Sequence, residues 1–137
     1  MKYSYKGFSR NLLAQIKEIE QSLKEPIALL LKKYKPVFAE KNIDFDAGLE
    51  IEGEKYFTPG YNFAVVMAIS KEDELFDVYI MTIWKCERTW LGLPVSKNIP
   101  GCRITGELVE ESVEEILLEL TEHIEEIWKD DALEGKL

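Results

Sequence analysis

The sequence predicts an α+β fold: a four-stranded antiparallel sheet with two N-terminal helices and a long C-terminal helix, in the order ααββββα. Three observations predict it. Apolar residues recur at three- and four-residue spacing near both ends of the chain, which is the period of an amphipathic helix. In the middle, apolar and polar residues alternate, as in a half-buried strand. A short charged turn, Lys71–Glu74, joins two apolar segments and favours an antiparallel hairpin.

The N-terminal segment predicts two helices separated by a proline. The first runs from Ser9, a suitable N-cap, to Lys24. The second, Pro26–Tyr34, begins at a proline because this residue is tolerated in the first turn of a helix, and Pro36 ends it or kinks it. A single long helix kinked at Pro26 is the alternative. The apolar stripe of the first helix consists of Leu12, Leu13, Ile16, Ile19 and Leu23.

Four segments in the middle of the chain predict strands: Ile43–Glu52, Tyr61–Ser70, Leu75–Cys86 and Cys102–Leu108. The first alternates apolar residues with acids or glycine, so one face should be buried and the other wet. The second is apolar on both faces, which is typical of a central strand. In the first strand, the side chains expected to point inward are Phe45, Leu49 and Ile51, and those expected to face water are Asp44, Glu50 and Glu52.

The clearest single signal is an acidic amphipathic helix from about Ser112 to Asp131. Ser112 and Glu115 have the spacing of a capping box, which marks a helix start. Between residues 107 and 131, eleven acids stand against one lysine, so this segment has a formal charge of −10 while the whole chain has −9. Its predicted apolar stripe is Ile116, Leu117, Leu120, Ile124, Ile127 and Trp128.

The size and composition predict a single α+β domain over residues 1–137, large enough to fold without a disulfide or metal. Cys86 and Cys102 fall on apolar strand faces, so we expect reduced core residues and a cytoplasmic protein. We find no secretory signal and no apolar run near the roughly 20 residues that span a membrane. The net charge of −9 argues against nucleic acids and anionic membranes as partners.

The sequence contains none of the familiar catalytic signatures, so we assign no catalytic residue and expect no cofactor and no metal. His123 is the one histidine. With Glu119 and Glu126 it lies on one edge of the last helix, where the three groups could share a divalent metal. Alternatively, a carboxylate of this set could raise the imidazole pKa. Packing and hydrogen bonding is the simpler explanation of a lone histidine beside an apolar stripe. The interpretation therefore leans away from an enzyme.

The acidic side of the last helix gives the favoured functional hypothesis. It is a non-enzymatic acidic binding protein, of inhibitor, immunity or chaperone type, that meets a basic protein partner through the C-terminal helix. Acidic residues near the C-terminus of a helix interact unfavourably with the helix dipole. Their presence there is explained if they bind a basic partner, and this favours the hypothesis. A solvated face, or one neutralised by the chain's own lysines between residues 32 and 41, is the alternative. The predicted contact residues are Leu118, Glu122, Glu125, Glu126 and Asp130.

The second hypothesis is a small-molecule-binding domain, or a small enzyme, with an aromatic-lined pocket between sheet and helices. Aromatic residues beside a Pro/Gly loop line pockets or anchor interfaces, although core packing gives the same pattern. The predicted ligand-binding residues are Tyr61, Trp84, Arg88, Trp90 and His123. The sequence is also compatible with a homodimer. Facing carboxylates would repel across a two-fold axis, so its contact is expected at a strand edge or the N-terminal helices.

Overall fold

The computed structural model describes residues 1–129, which contain two α-helices, one 3₁₀ turn and six strands. Their bounds are β1 Lys2–Ser4, the 3₁₀ turn Tyr5–Gly7, α1 Arg10–Ala39, β2 Asp44–Glu52, β3 Asn62–Lys71, β4 Glu74–Trp90, β5 Leu93–Pro94, β6 Arg103–Leu108 and α2 Val113–Trp128. The strands form one antiparallel sheet in the order β1-β6-β4-β3-β2, and β5 pairs with β4. The α+β class is confirmed, but the predicted four strands and two N-terminal helices are wrong.

One continuous helix, α1, replaces the two predicted N-terminal helices. Pro26 and Pro36 both lie inside it. A proline within a helix removes a backbone hydrogen bond and costs roughly 3 kcal/mol. Leu23, Ile27 and Phe38 are each at most 3% exposed, and burial contributes about 1.5–3 kcal/mol for each such side chain. The local penalty is therefore offset by packing that the sequence pattern does not reveal.

Two short strands that the sequence did not predict enlarge the sheet. β1 pairs with β6, with Tyr3 opposite Gly106, and the N-terminal ammonium donates a hydrogen bond to the Leu108 carbonyl at 2.6 Å. β5 pairs with β4, with Trp90 opposite Leu93. Segments of two or three residues are too short to show alternation. They become strands only because a partner strand supplies the hydrogen bonds.

The four predicted strands are present with shifted ends, and the largest shift is in β4, which continues to Trp90 instead of ending at Cys86. In β2, Phe45 is fully buried and Leu49 is half-buried, as predicted, whereas Ile51 is 47% exposed. Alternation shows which residues share a face of a strand, but it does not show how far along the strand other parts of the protein bury that face. The three acids predicted to face water are exposed.

Both helices begin at a capping serine, as predicted. The Ser9 hydroxyl accepts a hydrogen bond from the Leu12 amide at 3.1 Å. At the start of α2, the Glu115 amide donates to the Ser112 hydroxyl and the Ser112 amide donates to the Glu115 carboxylate, both at 3.2 Å. The predicted capping box is therefore confirmed, and the fully buried residues of α2 are Ile116, Leu120 and Ile124. The predicted helix end at Asp131 lies outside the described residues.

The chain forms two compact units. Unit 1 comprises Met1–Gln21, Leu49–Val66 and Ile80–Glu110, and unit 2 comprises Ser22–Gly48, Met67–Tyr79 and, among the described residues, 111–129. The assignment of residues 1–137 to one domain stays a prediction. No helix within residues 1–129 is long and apolar enough to cross a bilayer.

The core of unit 1 is built on Trp84, which is fully buried. Its ring makes edge contacts with Tyr3, Phe8 and Phe57 at centroid distances of 5.7–6.3 Å. The indole also covers Gly106 on β6. A Cβ atom at that glycine would lie 2.7 Å from Cζ2 of Trp84 and closer still to Cη2. The glycine is therefore required by the packing of the tryptophan.

The core of unit 2 joins α1, β2 and α2 through three aromatic rings. Phe38 stacks on Phe45 with ring centroids 5.4 Å apart, and it meets the edge of Trp128 at 5.1 Å. Phe38 and Phe45 are fully buried, as are three of the six predicted stripe residues of α2; the other three, Leu117, Ile127 and Trp128, are half-buried. This packing determines which side of α2 faces solvent.

Candidate functional site

The exposed side of α2 carries glutamates around one leucine. Because the stripe of α2 is buried, the helical period directs the remaining positions to solvent. Leu118 is 59% exposed. We name this surface the acidic face and define it as Glu114, Leu118, Glu122, Glu125 and Glu126, all of which are exposed. The fifth predicted contact residue, Asp130, lies outside the described residues.

Two of the lysines considered as internal neutralisers have other contacts within unit 2. Lys35 Nζ lies 3.2 Å from the Asp44 carboxylate, and Lys41 Nζ lies 3.9 Å from the ring centroid of Trp128. Within residues 1–129, no ion pair involves a glutamate of the acidic face, including the predicted contact residues Glu122, Glu125 and Glu126. Their charge is therefore available to an external cation.

The negative charge of the protein is concentrated in unit 2. Among the described residues, unit 2 holds seven lysines against fifteen acids, a formal charge of −8, whereas unit 1 holds nine bases against eight acids, a formal charge of +1. The acidic face therefore belongs to a strongly negative unit. A cationic partner would be attracted to this unit by its summed field.

Crowded carboxylates precede the acidic face at the start of α2. Burial, followed by Glu119 and Glu115, raises the pKa of Glu111, and one of its oxygens is buried with no hydrogen-bond partner among the described residues. Burial also raises the pKa of Tyr79, with a further contribution from Glu119 and Glu111. Glu111 and Tyr79 therefore lie close to the Glu119 carboxylate on the flank of the helix.

His123 packs against β4 on the same flank. Its Nε2 lies 2.8 Å from Oδ2 of Asp77, and its ring lies on Tyr79 with centroids 4.3 Å apart. The histidine is thus engaged by an acid and an aromatic ring of unit 2. Within residues 1–129, no group of three or more His, Cys, Asp or Glu side chains is arranged to hold a metal ion.

Two of the predicted ligand-binding aromatics belong to the core of unit 1. Tyr61 is 4% exposed and Trp84 is fully buried, and the indole N–H donates to the Tyr56 carbonyl at 2.7 Å. The Tyr56 hydroxyl donates to the buried Glu20 carboxylate at 2.8 Å. Burial and this hydrogen bond raise the pKa of Tyr56. The cluster is a buried polar network that organises the β2–β3 loop.

The other two predicted residues of unit 1, Arg88 and Trp90, lie at the far end of β4. Arg88 lines an open groove of about 580 Å³. Trp90 is 40% exposed, and the tip that follows it is more exposed still, with Leu91 at 81% and Leu93 at 67%. Leu91 and Gly92 have φ of 51° and 80°, as in a type I′ hairpin. Sequence reasoning missed this tip because Leu-Gly is not a usual signature of that turn.

Both cysteines are free, as predicted. Cys86 is 1% exposed, and burial, followed by the Glu87 carboxylate, raises the pKa of its thiol to about 11. Cys102 is half-buried, and its Sγ lies 3.1 Å from Oδ1 of Asn98. A thiol with a raised pKa is a poor nucleophile, so Cys86 serves packing.

Comparisons of the chain with protein-family models, curated proteins and solved structures give no match. Function is therefore inferred from the residues of this chain.

Proposed function

We propose that the protein is a non-enzymatic binding protein that meets a basic protein partner through the acidic face of α2, as an inhibitor, immunity protein or chaperone would. The observation that carries the proposal is the exposed Leu118 among glutamates that have no basic partner in residues 1–129. Leu118 is as exposed as Leu75 and Ile80, and what distinguishes it is the set of glutamates around it on the helix face. Protein interfaces combine an apolar contact with a polar rim.

The charge of the acidic face supports a role in binding. Glu122 and Glu126 are spaced four residues apart, and such like-charge pairs destabilise an isolated helix by a few tenths of a kcal/mol. Lysines or arginines of a partner would relieve this repulsion. The summed charge of unit 2 would also accelerate the encounter, an effect that reaches roughly 10- to 1,000-fold for steered association. The partner surface would carry an apolar socket for Leu118, bordered by lysine or arginine.

The test compares two variants that remove the same amount of charge. The face variant changes Glu122, Glu125 and Glu126 to glutamine. The control variant removes three exposed acids at the tip of the β3–β4 hairpin, and its substitutions are E72Q, D73N and E74Q. Basic proteins are captured from cell extract on the immobilised wild-type chain at low salt. Association rates of the purified captured protein are then measured with each variant.

We expect the face variant to associate at least about tenfold more slowly than wild type at low salt, whereas the control variant keeps nearly the wild-type rate. The difference should shrink near 0.15 M salt, where the Debye length is about 8 Å. Equal slowing of both variants would show a response to net charge alone. An unchanged rate in the face variant would refute a role of the acidic face.

A second variant separates the apolar contact from the charges. Leu118→Ala removes an exposed side chain and should leave folding stability nearly unchanged. If Leu118 fills a socket on the partner, dissociation should accelerate by about tenfold at both low and high salt, because apolar burial is not screened. Dissociation at the wild-type rate would remove Leu118 from the interface.

The small-molecule hypothesis has weaker support at the residues predicted for it. The rings of Tyr61 and Trp84 are packed in the core of unit 1, and His123 is engaged by Asp77 and Tyr79 in unit 2. Arg88 and Trp90 retain accessible surface at the end of β4. The basic-partner proposal therefore takes precedence.

A further inference from the structure

A second surface, which lies in unit 1, has the opposite chemistry to the acidic face. An open groove of about 620 Å³ lies between the segment that follows β1 and the start of β6. The pairing of β1 with β6 places Ser4 opposite Thr105. We name this surface the cationic groove; its lining residues are Ser4, Tyr5, Lys6, Cys102, Arg103, Ile104 and Thr105.

The electrostatics of the cationic groove favour an anion. Its lining contains one lysine, one arginine and no carboxylate, in a chain whose acids outnumber its bases by 26 to 17. Lys6 and Arg103 are both exposed, and among residues 1–129 neither forms an ion pair. The hydroxyls of Ser4 and Thr105 add neutral donors. An ammonium, a guanidinium fork and two hydroxyls are groups that bind phosphate or carboxylate oxygens.

The remaining lining of the cationic groove is apolar and partly aromatic. Tyr5 is 63% exposed, and its ring is supported by Phe8, with centroids 5.7 Å apart. Ile104 also lines the groove. A planar ring stacks on an exposed aromatic side chain of this kind. A volume of about 620 Å³ lies within the usual range of about 300–1,000 Å³ for small-molecule sites.

We infer that the cationic groove binds a small aromatic anion, a planar ring that bears one phosphate or carboxylate. Lys6 and Arg103 hold the anionic group, and the ring lies against Tyr5. This site is separate from the acidic face and does not depend on a basic protein partner.

The inference is tested by titrating the full chain with four probes while amide chemical shifts are followed by two-dimensional NMR. Phenyl phosphate and benzoate carry the ring with each of the two anionic groups. Phenol carries the ring alone, and inorganic phosphate carries the anion alone. We expect at least one ring-bearing anion to bind about tenfold more tightly than phenol and than inorganic phosphate. The shifts should be concentrated at residues 4–6 and 102–105.

Two matched variants localise the binding. Lys6→Gln/Arg103→Gln removes both cations of the groove, and Lys55→Gln/Lys97→Gln removes two exposed lysines elsewhere in unit 1. We expect the groove variant to lose about tenfold in affinity or more, and the control to lose little. Replacement of Tyr5 by Leu should weaken the ring-bearing anion but not inorganic phosphate, whereas replacement by Phe should not.

Three outcomes would overturn the inference. The first is the absence of shifts with every probe at millimolar concentration. The second is equal affinity for inorganic phosphate and the ring-bearing anions, which would show charge attraction without a site. The third is equal weakening in the groove and control variants. None of these outcomes bears on the acidic face, so failure here is distinguishable from failure of the basic-partner proposal.

Discussion

The contact between Gly106 and Trp84 gives the sharpest test of the fold. A Cβ atom introduced by Gly106→Ala would lie 2.7 and 2.8 Å from Cζ2 and Cζ3 of the indole. Real Cβ atoms do not approach carbon this closely, so the ring must move or the strands must separate. The ring has little freedom, because Tyr3, Phe8 and Phe57 surround it.

The expected loss combines two effects. Forcing extra volume into a packed core costs typically 1–3 kcal/mol. Displacing the indole would also strain the 2.7 Å hydrogen bond to the Tyr56 carbonyl, and a buried bond of this kind is worth about 1 kcal/mol. We therefore expect Gly106→Ala to lower the free energy of unfolding by about 2–4 kcal/mol, a large part of the roughly 5–15 kcal/mol that stabilises a domain.

Urea unfolding followed by circular dichroism measures this change, and Gly48→Ala in β2 is the matched control. A Cβ at Gly48 would have nothing within 4 Å. Because glycine within a strand costs about 0.5–1 kcal/mol relative to alanine, the control should be neutral or slightly stabilising. A loss below about 0.5 kcal/mol in Gly106→Ala would refute the packing argument.

A double variant distinguishes ring contact from a general effect on β6. Trp84→Phe removes the six-membered ring portion that would collide with the new methyl group, although it also leaves a cavity. If the collision is the cause, adding Gly106→Ala to Trp84→Phe should cost at least 1 kcal/mol less than adding it to wild type, because contacting residues are energetically coupled. If the losses in stability of the two single variants simply add in the double variant, the collision with the indole is not the cause.

Two further predictions concern α2 and the Tyr56 network. Leu120→Ala should lower the free energy of unfolding by about 2–5 kcal/mol because the side chain is fully buried, and Ser112→Ala by about 1 kcal/mol through loss of the cap; unchanged urea midpoints would contradict both. The pKa of Tyr56 is raised by burial and Glu20, so the unfolded chain ionises first and stability should fall as pH rises past about 10. Tyr56→Phe should flatten that fall, as unfolding at about pH 9 and pH 11 would show.

The local sequence pattern was sufficient to predict α2 and the central strands. The capping box of Ser112 and Glu115 predicted the start of the helix, which the structure confirms. The helical spacing predicted a stripe of six apolar residues, of which Ile116, Leu120 and Ile124 are fully buried and Leu117, Ile127 and Trp128 are half-buried. Such features depend on residues a few positions apart, whose geometry is set by the backbone itself. The exposed position of Leu118 followed from the same period.

Contacts between residues distant in sequence decided the rest. α1 continues through Pro26 and Pro36 because burial in unit 2 offsets two local penalties. β1 exists only through its pairing with the distant β6, whereas β5 pairs with the end of β4 across a two-residue turn.

Aromatic composition alone did not distinguish core from pocket. The sequence predicted the same ligand-binding role for both tryptophans. In the structure, Trp84 is enclosed by three aromatic rings, whereas Trp90 is exposed beside a hairpin tip. Burial depends on which distant side chains cover a residue, and a linear pattern does not contain that information. The cationic groove was missed for the same reason. Lys6 and Arg103 lie 97 positions apart in the chain, and only the pairing of β1 with β6 places them on one surface.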